Sequence, residues 1–247
     1  MFTPKLAGLL ALVALQVPLT MAGAPNFAAC SQNFYKGFAP TPSQAQPGQQ
    51  RALCFDSFAV LHSGQSKTPV YVAEYLTPAR LADAGDETRT NRFYEEARLP
   101  SADRATLADY AGSGFDRGHM APAADMPNPN AMAQSFSLAN MVPQAPANNR
   151  GPWAKNVEKA TRAYAMRSAQ GVYVLTGPIY SGQVTTIGTG KVWVPSHLFK
   201  LVYDPAKKRA WAHVLPNRDD AKAEGLYSYQ DLVKMTGIQW LPAGAVN

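Results

Sequence analysis

Apolar residues cluster in short runs along this chain, and the runs are separated by polar turns. Residues 172–176, 192–195, 198–203 and 210–215 are rich in β-branched, aromatic and aliphatic side chains. Gly177-Pro178 ends the first, and Asp204-Pro205-Ala206-Lys207-Lys208 separates the last two, so the pattern predicts strands joined by turns. Residues 55–61 and 70–76 read the same way across the turn-rich 63–67. Helical spacing shows in two places. Trp153, Val157 and Tyr164 recur on one face over 152–168, with Pro152 suited to a first helical position. Residues 229–236 predict a second helix, stopped at Gly237. Between these, 77–104 reads as polar loop with short helical turns, 126–130 as loop, and 134–139 as a lead into Asn140. Strands and helices mix without regular βαβ alternation, which predicts an α+β fold on an antiparallel sheet.

The first 52 residues follow another pattern. Lys5 precedes an apolar stretch over 6–17 and small residues over 19–24, the features of a signal peptide over 1–22. The expected location is therefore secreted or periplasmic. Residues 25–52 are rich in Pro, Gln, Ala and Ser and read as a loose leader. The expected division is a leader over 23–51 and a single domain over 52–247. Cys30 and Cys54 are the two cysteines, and an even pair in an exported chain predicts a disulfide tethering that leader.

Composition narrows the chemistry. With 46% hydrophobic and 16% charged residues the chain can pack a core, which excludes disorder as its default. A net charge of +6 and a pI near 9.3 favour polyanionic partners such as nucleic acid. Two cysteines and four scattered histidines (62, 119, 197, 213) argue against a His/Cys metal cluster.

The densest chemistry lies in Phe115-Asp116-Arg117-Gly118-His119-Met120-Ala121-Pro122. An imidazole can take a proton from water near neutral pH, and a guanidinium can grip a phosphate in a planar fork. Gly118 is read as permitting a tight hairpin that aims the ring. Downstream, Asn149 carries two readings: a helix N-cap, or an amide-oxygen ligand for a hard cation that keeps most of its waters. Gly188-Thr189-Gly190-Lys191 is followed by Val192 and lacks the spacing of a phosphate loop.

Five ordered blocks carry a resemblance. They are the His119 block, Ser135-Phe136-Ser137-Leu138-Ala139-Asn140-Met141-Val142-Pro143-Gln144, Asn148-Asn149-Arg150-Gly151-Pro152-Trp153, Val174-Leu175-Thr176-Gly177-Pro178, and Val194-Pro195-Ser196-His197-Leu198-Phe199-Lys200. Over roughly 52–242 the chain resembles the DNA/RNA non-specific endonucleases of the ββα-metal (His-Me finger) group. The resemblance implies a Mg2+-dependent nuclease, with Mn2+ as a substitute, acting on DNA and RNA. It implies His119 as general base, Asn149 as the sole direct protein ligand of the metal, and Arg117 near the phosphate beside Asp116. It further implies Asn140 as support, Glu158 as holder of metal-bound waters, and an upstream arginine for which Arg89 is preferred over Arg92. Glu158 comes one residue late, since Val157 stands four after Trp153. On a regular helix that turns the side chain by roughly 100°, and a π-bulge would absorb it. His197, His62 and His213 read as structural. Two rival readings are a nucleic-acid-binding or uptake protein that has lost cleavage, and an antibacterial nuclease toxin with an immunity or inhibitor protein as partner.

Overall fold

In the computed structural model, which describes residues 26–42 and 50–247, the chain is organised by one antiparallel sheet with a layer on each face. The sheet contains β1 (Gln50–Cys54), β2 (Ala59–Ser63) and β3 (Thr68–Leu76). A separate pair, β4 (Asp116–His119) and β5 (Met141–Gln144), stands in front of it. The sheet continues with β6 (Val172–Ile179). After the small pair β7 (Thr185–Ile187) and β8 (Val192–Val194), it is completed by β9 (His197–Asp204), β10 (Arg209–Pro216) and β11 (Tyr227–Ser228). The strand order is β1-β2-β3-β6-β9-β10-β11. The strands expected at 70–76, 172–176, 198–203 and 210–215 are present, each one to three residues longer at an end. The run at 55–61 differs: Phe55 and Phe58 stack outside any strand, and the strand begins at Ala59.

Side chains alternate across the sheet, so each strand feeds two cores. Val60, Val72, Leu198 and Leu215 point forward and pack with Met120, Trp153 and Val157. Leu61, Tyr71, Leu175, Phe199, Leu201 and Tyr203 point backward. The back core is closed by Phe27, Cys30 and Phe34 from the start of the described chain. It is also closed by Leu232, Ile238 and Trp240, on and after the last helix.

Within 25–52, the described residues 26–42 and 50–52 are packed and not loose. Phe27 and Phe34 pack with tilted rings, 4.9 Å between centroids, and both approach Tyr71, whose hydroxyl donates to the Pro40 carbonyl at 2.9 Å. Residues 50–54 are themselves an edge strand. The Cys30–Cys54 disulfide is formed, with Cα atoms 5.5 Å apart, and it ties the back layer to that edge. The signal-peptide segment lies outside the described residues.

The helices are short. They are α1 (Pro78–Ala84), α2 (Leu107–Tyr110), α3 (Pro129–Ser135) and α4 (Pro146–Asn148), then a π-helical stretch Asn149–Glu158 running into α5 (Lys159–Ala165), and α6 (Tyr229–Thr236). The last matches its expected bounds, because both ends are written in sequence. Ser228 and Asp231 form a reciprocal capping box, and Gly237 takes the left-handed C′ position at φ 67°. The helix expected over 152–168 starts earlier and is not regular, with direct consequences for the site.

Candidate active site

β4 and β5 pair antiparallel, with His119 opposite Met141 and Gly118 opposite Val142. Gly118 has no left-handed φ and makes no turn. A Cβ there would collide with the Gln144 side chain, so glycine is needed for close approach rather than for a hairpin. Beyond the strand, Asn140 clamps the backbone. Its Nδ2 donates to the carbonyls of Ala121 and Ser135, each at 2.9 Å, and its Oδ1 accepts from the Ala121 amide at 2.9 Å. Asn140 is fully buried and satisfied, so it holds the His119 segment in place and does not reach into the cleft.

His119 is 8% exposed, and its buried Nε2 has no protein hydrogen-bond partner. Its ring lies between Phe136, edge-on at 5.0 Å, and Phe93 at 5.7 Å. Each of those rings carries an arginine. Arg117 stacks 4.2 Å from the Phe93 centroid and Arg89 5.0 Å from that of Phe136. Burial, then the charges of Arg89 and Arg117, push the His119 pKa down to about 3, so the imidazole is neutral and can accept a proton. Arg89 is oriented by its Nε donating to Asn91 Oδ1 at 2.7 Å. It reaches this cluster, whereas Arg92 makes no such contact among the described residues. Arg89, Arg117, Asp116, Asn149 and Arg150 line one open cleft of about 470 Å³.

Asn149 is not a helix N-cap. It sits at φ −54°, ψ −51° inside a helix already begun at Pro146, and its amide donates to the Ala145 carbonyl at 2.9 Å. Its side-chain Nδ2 donates to Asp116 Oδ2 at 2.9 Å, which leaves Oδ1 available as a ligand. Asp116 also accepts a two-pronged grip from Arg150, at 2.8 and 2.6 Å. Burial would raise the Asp116 pKa. The Arg150 and Asn149 hydrogen bonds, and the charges of Arg150 and Arg117, outweigh it and hold the carboxyl below its ordinary range.

The π-helical stretch Asn149–Glu158 contains the break expected from the late glutamate. Gly151 leaves helical geometry at φ −104°, ψ −110°. Trp153 and Val157 both remain fully buried, so one extra residue is taken up without turning the core face outward. Glu158 is half-buried. Burial pushes its carboxyl up to about 7, opposed by Lys200, reinforced by Asp125, and opposed again by Arg162 and Arg89. The charge of Arg89 acts on both His119 and Glu158.

Among the described residues no three His, Cys, Asp or Glu side chains converge to hold an ion. The donor set fits a different kind of centre, one amide oxygen for a hard cation that keeps its water shell.

A family model for DNA/RNA non-specific endonucleases matches residues 39–244. The chain belongs to that family. The endonuclease is 36% identical to human "Endonuclease G, mitochondrial" over 214 residues, covering 79% of this chain and 71% of the relative. It is 34% identical to "Nuclease C1" of Cunninghamella echinulata var. echinulata, covering 74% and 77%. The fold matches the crystal structure of the EndoG/EndoGI complex with a TM-score of 0.71 at 24% identity, over 78% of this chain and 86% of that one. The ββα-metal fold and the enzyme class expected from sequence therefore hold. The expected location does not. The human, bovine and frog relatives and the Saccharomyces cerevisiae one are named mitochondrial nucleases, against the secreted or periplasmic location expected from sequence.

The other sequence-level candidates lie elsewhere. His62 is buried, with Nε2 donating to the Asp103 carbonyl at 2.9 Å. His197 Nδ1 meets Ser196 Oγ at 3.1 Å, and His213 lies beside Lys200 in the sheet. Gly188 and Gly190 close against Asp109, whose Oδ1 accepts the Gly190 amide at 2.6 Å, so that loop serves packing. Sequence reading gave no individual role to Phe93, nor to Phe136 and Lys200, although the latter two stand in the five blocks. Phe93 carries no pattern that would mark it. Lys200 did carry one: a charge in the middle of the apolar run 198–203.

Proposed function

We propose that the endonuclease hydrolyses phosphodiester bonds of DNA and RNA with Mg2+, or Mn2+ in its place, and His119 as general base. What supports this is the neutral imidazole wedged between two rings that each carry an arginine, in a segment whose neighbours line the same cleft as Asn149. A divalent cation held by Asn149 Oδ1 would supply positive charge at the phosphate and the leaving oxygen. His119 removes a proton from the attacking water. A phosphate drawn between Arg89 and Arg117 offsets their charges, the part of the imidazole's depression that burial does not cause. Arg117 and Arg89 balance charge on the phosphoryl oxygens, and the Glu158 carboxylate would accept hydrogen bonds from water around a cation held by Asn149. Asp116 presents the Asn149 amide oxygen by holding its nitrogen. Contacts of this kind address the sugar-phosphate backbone and not base edges, which suits a non-specific substrate range. An inhibitor protein covering the cleft is a natural partner, since the solved relative was captured in an inhibitor complex.

Incubating the purified protein with supercoiled plasmid and with RNA, with and without chelator, tests this reading. Cleavage of both, abolished by chelator and restored by Mg2+, is the expected result. Binding without cleavage under any divalent ion would reject it.

A further inference from the structure

Lys200 lies in the middle of β9 and is 1% exposed, between the fully buried Leu198 and Val202. Its Nζ donates to Thr176 Oγ1 at 2.7 Å, directly across the β6–β9 pairing, and to the Met120 carbonyl at 3.4 Å. It has no ion-pair partner among the described residues. Burying an ammonium without a contacting carboxylate is costly, and a methionine of similar length would fill the same slot at no such cost. The charge, not the volume, therefore needs a reason.

The Met120 carbonyl belongs to the residue immediately after His119. The Met120 amide is held by the Asn140 carbonyl at 3.0 Å, and both backbone groups of Ala121 are held by the Asn140 side chain. The segment carrying the imidazole is thus clamped on one side by Asn140 and from beneath by Lys200. The same ammonium acts through its charge to lower the carboxyl pKa values of Glu158, in the π-helical stretch, and Glu74, on β3.

We propose that Lys200 is a positioning residue for phosphodiester hydrolysis, fixing the height of His119 over the sheet through the Met120 carbonyl, anchored in turn by Thr176. The inference rests on His119 being the general base. Small misplacements of a reacting group are expensive, with about 1 Å able to cost on the order of a hundredfold in rate.

The test is Lys200→Met in the full chain. Its fold is checked by thermal unfolding, its kcat and KM are measured on plasmid, and its His119 imidazole resonances are recorded in metal-free protein with His197 as control. Expected are a kcat loss of about tenfold or more, a KM within about twofold, and displaced His119 signals with His197 unmoved. A folded variant with wild-type kcat overturns the proposal, and so does a kcat loss with unmoved His119 signals. If Lys200→Met does not fold, Thr176→Val decides, since it keeps the ammonium and removes its anchor. Unchanged kcat and unmoved His119 signals in that variant reject the proposal; a partial kcat loss with displaced signals supports it. His119→Ala is measured alongside. If it still cleaves, the assignment of the base has failed, and the resonances alone then report whether Lys200 holds the segment.

Discussion

His119 is enclosed by two aromatic rings yet bordered by two guanidinium groups, so it stays neutral while sitting where an anion is drawn. His119→Ala should lower kcat by about 10²–10⁴-fold and leave substrate binding nearly unchanged, as judged by gel shift in chelator and by cleavage in Mg2+. Asn149→Ala should raise the Mg2+ concentration for half-activity and lower kcat together. Its stability should change little, because the backbone of Asn149 is already inside the helix and no N-cap is lost; a metal titration with a melting curve checks both. His62 tests the electrostatics away from the cleft. Burial holds its pKa down to about 4, against the ordinary 6.5. Below pH 6.5 the unfolded chain binds a proton that the folded chain refuses until near pH 4. The stability is therefore complete above 6.5 and drains away as the pH falls through that window. The slope is about 1.4 kcal/mol per pH unit for one histidine. Glu158 and Glu74, raised to about 7 and 8, bend the wild-type curve the other way near neutrality, so the difference between proteins is the useful measure. Urea unfolding should show that, as the pH falls from 6.5 to 5, wild type loses stability relative to His62→Gln by about that slope.

The helix that carries Asn149 and Glu158 has to satisfy two demands along one axis. Trp153 and Val157 must both reach the front core, and the residue after Val157 must reach the charged cluster. The π-helical stretch, broken at Gly151, keeps both core residues buried, and on the proposed function it also turns Glu158 toward the cluster. Glu158→Gln should therefore cut turnover sharply with little change in melting temperature, whereas a glutamate turned to solvent would make the change silent in both. How much of this was legible beforehand follows the length scale of the signals. Strands β3, β6, β9 and β10, and helix α6, are encoded by local apolar runs, turns and caps, and they appear nearly where those cues put them. The break at Gly151 was visible only as a one-residue offset. The edge strand β1 and the turns at 28–37 escaped because their stability comes from distant partners, Tyr71 and the disulfide, and composition alone reads such segments as loose. At the site, His119, Arg117, Asn140 and Asn149 stand in dense motifs. Phe93 does not, since its role comes from a tertiary contact alone.

At the scale of the whole molecule the sheet is a partition. Its front carries the β4–β5 pair, the irregular helix and the cleft; its back is sealed by residues from both ends of the described chain. The Cys30–Cys54 bond closes a loop of 24 residues on the back side, worth about 3 kcal/mol in a chain-entropy account. Reduction should lower the melting temperature by several degrees and leave the rate of plasmid cleavage below that temperature nearly unchanged. Parallel melting and cleavage measurements with and without reductant check this, and equal losses in both would mean that the back layer shapes the cleft. The two-faced arrangement also sets how the protein can be held. Phe27 enters the back layer, and at the other end the Ala245 carbonyl accepts from the Tyr203 hydroxyl at 2.8 Å. Both ends of the described chain therefore pack on the side away from the cleft. A tether, a surface or a fused partner can thus grip the endonuclease from behind while a long polyanion passes freely in front.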